Sequence, residues 1–361
     1  MRALVLRAPE QLEVTDVPKL PAGPGQVQIR VTACGICGSD VRYFFGENPW
    51  AKQTLGQTIP NPPNIILGHE FMGVVEDAYA QEDRTLIGRR VAVNTFITCG
   101  ECSYCRAGQE NLCPKTRHYG HGQGWPKMEY YPGGMAEFCA VPRSQVYELP
   151  DSLTDHEATF LDPLIASLHA VDVGAPKCLD KVAVCGAGPI GNLIAQIAKA
   201  FGAAETFICD VADENVAAAR KVGIDHAINV SRDANLFREA VQTATKGEGV
   251  ELVFDTVGTE ASIAQSLGLL KKGGVLVLMA TKDAEARFPW LLLTGERTIR
   301  TSANARYADF PRAMELLARQ RVQVLPLISH RFPLSRAVEA FDVACHKSRS
   351  GAIKIVLECQ S

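Results

Sequence analysis

No stretch of this 361-residue sequence approaches the ~20 consecutive apolar residues that a membrane-spanning helix needs. The opening residues, MRALVLRAPE, are too briefly apolar for a secretory leader before Pro9 and Glu10 intervene. Together these absences set the expectation of a soluble, cytoplasmic chain with no membrane partner. Excess charge is also missing. A net charge of −3 gives neither the basic face that nucleic acid requires nor an acidic tail, so no nucleic-acid partner is expected. Internal repeats and low-complexity tracts are absent as well, which excludes a repeat architecture.

Cysteine is plentiful. Twelve cysteines in a long chain, clustered and without an export signal, argue for metal binding rather than a disulfide scaffold. The length exceeds one ordinary hydrophobic core, and two domains are expected.

Residues 1–155 read as short β segments, VQIRVTA, FMGVVEDA, RRVAVN and AEFCAVP, separated by Gly and Pro. From residue 156 to 300 the pattern becomes strand and helix in alternation. KVAVCGAGPIGNLIAQIAKAFGA is a strand, a glycine turn and a helix. TFICD, HAINV, ELVFDTVG and GGVLVLMA follow as buried strands, separated by helical stretches such as ENVAAARKVG and ASIAQSLGLLKK. This alternation predicts an α/β fold with a doubly wound parallel sheet. Beyond residue 300, FPRAMELLARQ and LSRAVEAFDVACH read as helices and GAIKIVLE as a last strand. The segment from Phe44 to Leu67 reads as a long loop.

Cys99, Cys102, Cys105 and Cys113 form a C-x2-C-x2-C-x7-C array. Four thiolates this close can enclose one tetrahedral zinc ion, with an iron-sulfur cluster as the rival reading, and a zinc site closed by four protein ligands is structural. Gly186, Gly188 and Gly191 have G-x-G-x-x-G spacing, and with Pro189 and Ile190 they join an apolar strand to a helix. That context suits a dinucleotide pyrophosphate against the helix N-terminus. Asp210 ends the next strand, nineteen positions after Gly191, and no Arg or Lys follows it immediately. A carboxylate there accepts hydrogen bonds from ribose hydroxyls and repels a 2′-phosphate, which favours NAD over NADP. His69 and Glu70 in GHE, with Cys37 of ACGICGSD, can form a mixed N/S/O metal site that keeps a position open for substrate. From spacing alone, Cys34 and Cys37 are a redox pair, half of a zinc knot, or one ligand beside a bystander.

GICGSD, GHE, the four-cysteine array and the downstream glycine turn occur here in the order seen in one family. Over nearly its whole length the chain resembles the zinc-dependent medium-chain alcohol and polyol dehydrogenases, and in particular the sorbitol and sugar-alcohol branch. The resemblance implies a GroES-like β-barrel catalytic domain with a structural zinc lobe over residues 1–155. It further implies a Rossmann NAD-binding domain over 156–300 and a C-terminal return to the catalytic domain over 301–361. Two zinc ions per subunit and NAD are implied as cofactors, and a homo-oligomer, tetramer or dimer, as the assembly.

In the family pattern Cys37 is the catalytic zinc ligand and Cys34 the bystander. Asp162 stands where the polyol branch has a glutamate ligand. One methylene shorter, it reaches the metal directly, through water or not at all. Ser39 passes the substrate hydroxyl proton outward, and Tyr43 matches a substrate-side tyrosine. Asn304, in SANARYADF, falls in the segment lining the nicotinamide, Arg306 and Tyr307 match an Arg-Tyr pair of the sorbitol branch, and Lys354 matches a basic position near the pyrophosphate. Arg42 replaces the branch's histidine, so no histidine relay is carried over. His118 and His121 read as solvated loop histidines. The implied reaction is reversible oxidation of a secondary alcohol of a polyol or sugar to a ketone. The alternatives are an amino alcohol such as threonine, a simple alcohol or, more distantly, a catalytically silent structural relative.

Overall fold

The structure is a computed structural model describing residues 1–280, 282 and 285–360. The chain divides into two compact units. The first comprises Met1–Asp162, Arg306–Ala318 and Ile328–Ser361; the second comprises Pro163–Ala305 and Arg319–Leu327.

The first unit is built on a sheet whose strands lie in the order Val146–Glu148, Arg90–Val93, Glu70–Ala78, Gln26–Ile36, Lys354–Glu358 and Ile328–Pro333. Phe138–Pro142 also pairs with Gln26–Ile36. Alternation along the long strand sends Val27, Ile29 and Val31 into the core, each with no exposed surface. Two antiparallel pairings position the chemistry: Gly35 lies opposite Glu70, and Ile355 lies opposite Ile36. The last strand of the chain is thereby laid beside the segment that leads into Cys37. The expected loop between Phe44 and Leu67 contains a helix, Pro49–Leu55. Asn48 caps it by accepting from the Ala51 amide at 3.0 Å, Pro49 occupies its first turn, and Gly56 ends it at φ +64°.

The second unit holds six parallel strands in the order His226–Asn229, Glu205–Asp210, Lys181–Cys185, Val250–Asp255, Leu270–Leu278 and Thr298–Thr301. In chain order this is 3-2-1-4-5-6, the Rossmann arrangement, with its topological switch between Lys181–Cys185 and Val250–Asp255. The central strands are covered on both faces, and so Val182, Ala183 and Val184 are all fully buried. Among the described residues no helix is long and apolar enough to cross a membrane.

Candidate functional site

Cys37 ends the long strand's run and serves as N-cap of the helix Gly38–Phe44. The carboxylate of Asp40, fully buried in that helix, ties three points together. Its Oδ2 accepts from the Cys37 amide at 2.8 Å. Its Oδ1 accepts from the Gly68 amide at 3.4 Å and lies 3.4 Å from His69 Nδ1. A carboxylate behind an imidazole fixes the ring's orientation and raises its basicity. The opposite ring nitrogen, Nε2, lies 3.4 Å from Ser39 Oγ. Gly68 adopts φ +93°, and a Cβ there would strike Cys34 Sγ and Met135, each at 2.6 Å. This left-handed turn is what aims His69, and only glycine fits it.

Glu70 is 2% exposed and Lys354 3% exposed, and the two form a buried ion pair, with Lys354 Nζ also donating to the Ile36 carbonyl at 3.3 Å. Gly35 makes room for the pair: a Cβ there would collide with the Glu70 carboxylate and come within 2.8 Å of Lys354 Cε. The expectation that Lys354 faces a pyrophosphate is therefore corrected, since its ammonium is enclosed in the first unit against Glu70. Lys354→Met leaves that carboxylate buried without its cation. It is expected to cost about 3–5 kcal/mol, with a larger drop in Tm for zinc-stripped than for zinc-loaded protein.

Cys37, His69 and Glu70 each offer one donor atom within 4.8 Å of the others. Burial disfavours the Cys37 thiolate, but the adjacent His69 cation outweighs it and, with Lys354, brings the thiol down to about 7. Burial also opposes the His69 cation, yet Asp40 and Cys37 carry it well above the ordinary imidazole value. The chemistry of this donor set fits zinc: one thiolate, one imidazole and one carboxylate leave a fourth tetrahedral position open. Cys34, fully buried against Gly68, belongs to no such group among the described residues.

Asp162 is not brought into the donor set. Its Oδ1 accepts from Thr95 Oγ1 at 3.3 Å, and burial holds the carboxyl above its usual range. Tyr43 is likewise no substrate-side group. It is fully buried, its hydroxyl lies 3.3 Å from Asn48 Oδ1 and accepts from the Trp50 amide at 3.4 Å, and burial pushes the phenol up. Asn304 is exposed in the second unit at φ +50°.

The histidines expected in solvent are in the site instead. His121 is 7% exposed and neither ring nitrogen has a hydrogen-bond partner. It stacks on Tyr43 at 4.6 Å and on His118 at 4.2 Å, and meets the His69 ring edge-on at 4.6 Å. Burial, then the neighbouring His69 charge, lowers His118 to about 3, and burial with both neighbours lowers His121. Gly120, at φ +77°, explains the approach: a Cβ there would sit 2.6 Å from the Gly68 carbonyl. The signal available in the sequence was HYGHG, where glycines flank the second imidazole.

The four cysteines of the array also converge. Their Sγ atoms are 3.5 Å apart for Cys102–Cys105, 3.6 Å for Cys99–Cys113 and 3.9 Å for Cys99–Cys105. Zinc–sulfur bonds of about 2.3 Å in a tetrahedron give sulfur–sulfur edges of about 3.8 Å, so the set fits that ion. Amide donors, first that of Glu101 and then that of Cys102, bring the Cys99 thiol down to about 6. Tyr307 braces the lobe: its hydroxyl accepts from the Thr98 amide at 2.9 Å, and its amide donates to Glu110 Oε1 at 2.9 Å.

In the second unit, Gly186 turns at φ +96° and Gly188 caps the helix Pro189–Ala200. A Cβ at Gly191 would run into the Gly186 carbonyl, whereas one at Gly188 would meet open space. That open side is where a pyrophosphate can approach the backbone. A cavity of about 630 Å³ is lined by Gly186, Asp210, Asn235, Arg238, Val257 and Thr259, among others. Asp210 accepts from the amides of Ala187 at 2.7 Å and Ala212 at 3.0 Å. No cation directly follows Asp210, but Arg238 lines the same cavity from the helix Asn235–Ala244.

A Rossmann sheet with a phosphate-ready glycine turn, a closed thiolate knot and a mixed-ligand set with one position open define a zinc-dependent oxidoreductase. Residues 23–151 match the alcohol dehydrogenase GroES-like domain and residues 189–319 the zinc-binding dehydrogenase domain. The chain is 31% identical to sorbitol dehydrogenase of Macaca fascicularis, covering 99% of this chain and 95% of that one. It is 29% identical to L-threonine 3-dehydrogenase of Deinococcus radiodurans, covering 100% and 99%. The solved alcohol dehydrogenase TADH from Thermus sp. ATN1 superposes with a TM-score of 0.84 at 31% identity, covering 99% of both chains. The chain belongs to the zinc-dependent medium-chain alcohol and polyol dehydrogenase family.

Proposed function

We propose that this chain oxidises a secondary alcohol of a polyol or sugar to a ketone, reversibly, with NAD. The observation that carries the reading is the convergence of Cys37, His69 and Glu70 donors within 4.8 Å of one another. Those three residues would hold the catalytic zinc, and Cys99, Cys102, Cys105 and Cys113 the structural one. Bound there, zinc would supply Lewis acidity to the substrate hydroxyl, and NAD would supply the hydride acceptor.

The chain's own residues do the rest. Asp40 holds the His69 ring and the Cys37 turn in place. Ser39, with Oγ 3.4 Å from His69 Nε2, takes the substrate hydroxyl proton and passes it outward. Arg42 is paired with Glu47 at 2.8 Å and provides no imidazole for a longer relay. The unpartnered ring nitrogens of His121, beside His69, favour a substrate with further hydroxyl groups over a simple alcohol, because an apolar chain would leave them unpaired. Similarity to sorbitol dehydrogenases points the same way, and similarity to L-threonine 3-dehydrogenase keeps an amino alcohol as the second reading.

Following NADH formation with polyols, threonine and simple alcohols tests the proposal. Turnover is expected with polyols and is expected to be lost on zinc chelation. Chelator-resistant turnover, or turnover confined to simple alcohols, would overturn it.

For the cofactor, Asp210 supplies acceptors for ribose hydroxyls and repels a 2′-phosphate, while Arg238 waits in the same cavity. Asp210→Ser removes the repulsion and leaves the guanidinium. The NAD-to-NADP ratio of kcat/KM is expected to fall by about a hundredfold or more, since charge repulsion and a charge-assisted bond are each worth about 1.5–3 kcal/mol. An unchanged ratio would remove Asp210 from cofactor selection.

A further inference from the structure

His118 has one ring nitrogen that the fold does not use. Its backbone is pinned on three sides. The residue pairs with Phe96 across two short strands, its carbonyl accepts from Trp125 Nε1 at 2.9 Å, and the next amide, of Tyr119, donates to the Thr95 carbonyl at 3.0 Å. The ring is held as well. It stacks on His121 at 4.2 Å, stands edge-on to the His69 ring at 5.4 Å, and places Nδ1 2.8 Å from the Tyr119 carbonyl. A carbonyl only accepts, so Nδ1 carries the proton and donates. The lone pair of the neutral imidazole is then on Nε2. The side chain is half-buried, and Nε2 has no hydrogen-bond partner among the described residues and is not enclosed.

His118 lies outside the donor set of Cys37, His69 and Glu70, so it is not a ligand in this geometry. It is the neighbour of one ligand and presents a fixed, open acceptor beside it. We propose that His118 determines substrate specificity: Nε2 accepts a hydrogen bond from a second substrate hydroxyl, on the carbon next to the one oxidised. The substrate class is thereby narrowed to alcohols with a vicinal diol, and the inference rests on the dehydrogenase reading. A fixed acceptor discriminates because a plain carbon chain in the same space displaces water from Nε2 and returns no donor. With the ring already locked, little side-chain freedom is lost when the bond forms.

Kinetics of the zinc-loaded chain with NAD test this, using 2,3-butanediol and 2-butanol, which differ only in the second hydroxyl. The diol is expected to have a kcat/KM at least about tenfold higher, the worth of one such hydrogen bond. His118→Asn keeps a donor at the place of Nδ1 and has nothing at the place of Nε2. Its preference for the diol is expected to fall at least about tenfold, mainly through the KM of the diol. His118→Gln, whose amide reaches about as far as Nε2, is expected to recover part of the preference. Nitrogen-15 NMR of the histidine-labelled full chain reads the tautomer without turnover, and is expected to show the proton on Nδ1 and none on Nε2. A proton on Nε2, equal use of the two alcohols, or a preference that survives His118→Asn would each overturn the proposal. Absence of turnover with every alcohol would overturn the dehydrogenase reading, and this inference with it.

Discussion

Replacing Cys37 by serine lowers kcat/KM by about a thousandfold or more, because the Lewis acidity that the zinc site supplies is worth several kcal/mol. The thiol's environment is the reason. His69 and Lys354 bring Cys37 down to about 7 against the effect of burial, so a metal meets a ready thiolate. A serine hydroxyl in the same place stays protonated and offers zinc a poor ligand. Metal content is expected to fall from two ions per chain to one, while Tm moves little, because Cys37 is only half-buried at a helix cap. Full activity with one zinc per chain would contradict the assignment of Cys37.

Cys105→Ser has the largest expected effect on stability. The lobe around the knot has almost no core of its own. Its helices, Ser103–Arg106 and Glu110–Leu112, are single turns, and Tyr104 and Leu112 are 44% and 43% exposed. Such a segment cannot offset its conformational entropy by apolar burial. The ion is in effect its core. Structural zinc contributes about 10–16 kcal/mol in small zinc-folded peptides, more than the lobe can replace. Hydrogen exchange over residues 99–113 is expected to accelerate by at least about a hundredfold, with loss of one zinc per chain. Since Tyr307 grips the lobe at Thr98 and Glu110, loosening is expected to extend to residues 306–318. Unchanged protection would mean that the thiolates hold no structural ion.

What the sequence revealed depended on how local each feature is. The knot spans fifteen residues and the glycine turn six, so spacing alone exposed both. Five of the six strands of the Rossmann sheet are visible as apolar runs between helices; the edge strand Thr298–Thr301, TIRT, carries one apolar side chain and gives no such signal. One boundary slipped: the helical stretch ASIAQSLGLLKK ends at Leu269, and Leu270 already belongs to a strand. Leu-Leu-Lys-Lys suits a helix locally, but pairing of Leu270 with Val250 draws it into the sheet.

The residue types allow the mixed-ligand set, and family resemblance singles it out. Cys37 and Glu70 meet because Gly35 and Glu70 are cross-strand partners, a register that no local pattern announces. Lys354 reaches Glu70 from 284 positions away, which is why it looked like a cofactor residue. Tyr43 and Asp162 occupy family positions, yet burial gives the first a packing task, and a shorter side chain leaves the second on Thr95. A histidine in a glycine-rich loop reads as solvated, but Gly68 and Gly120, pressed together, bring His121 in instead.

Zinc-edge anomalous scattering from crystals of the zinc-loaded chain tests the central claim most directly. The account predicts two peaks per chain, one enclosed by the sulfurs of Cys99, Cys102, Cys105 and Cys113, the other among Cys37, His69 and Glu70. A single peak at the knot, with Glu70 still paired to Lys354, would contradict it.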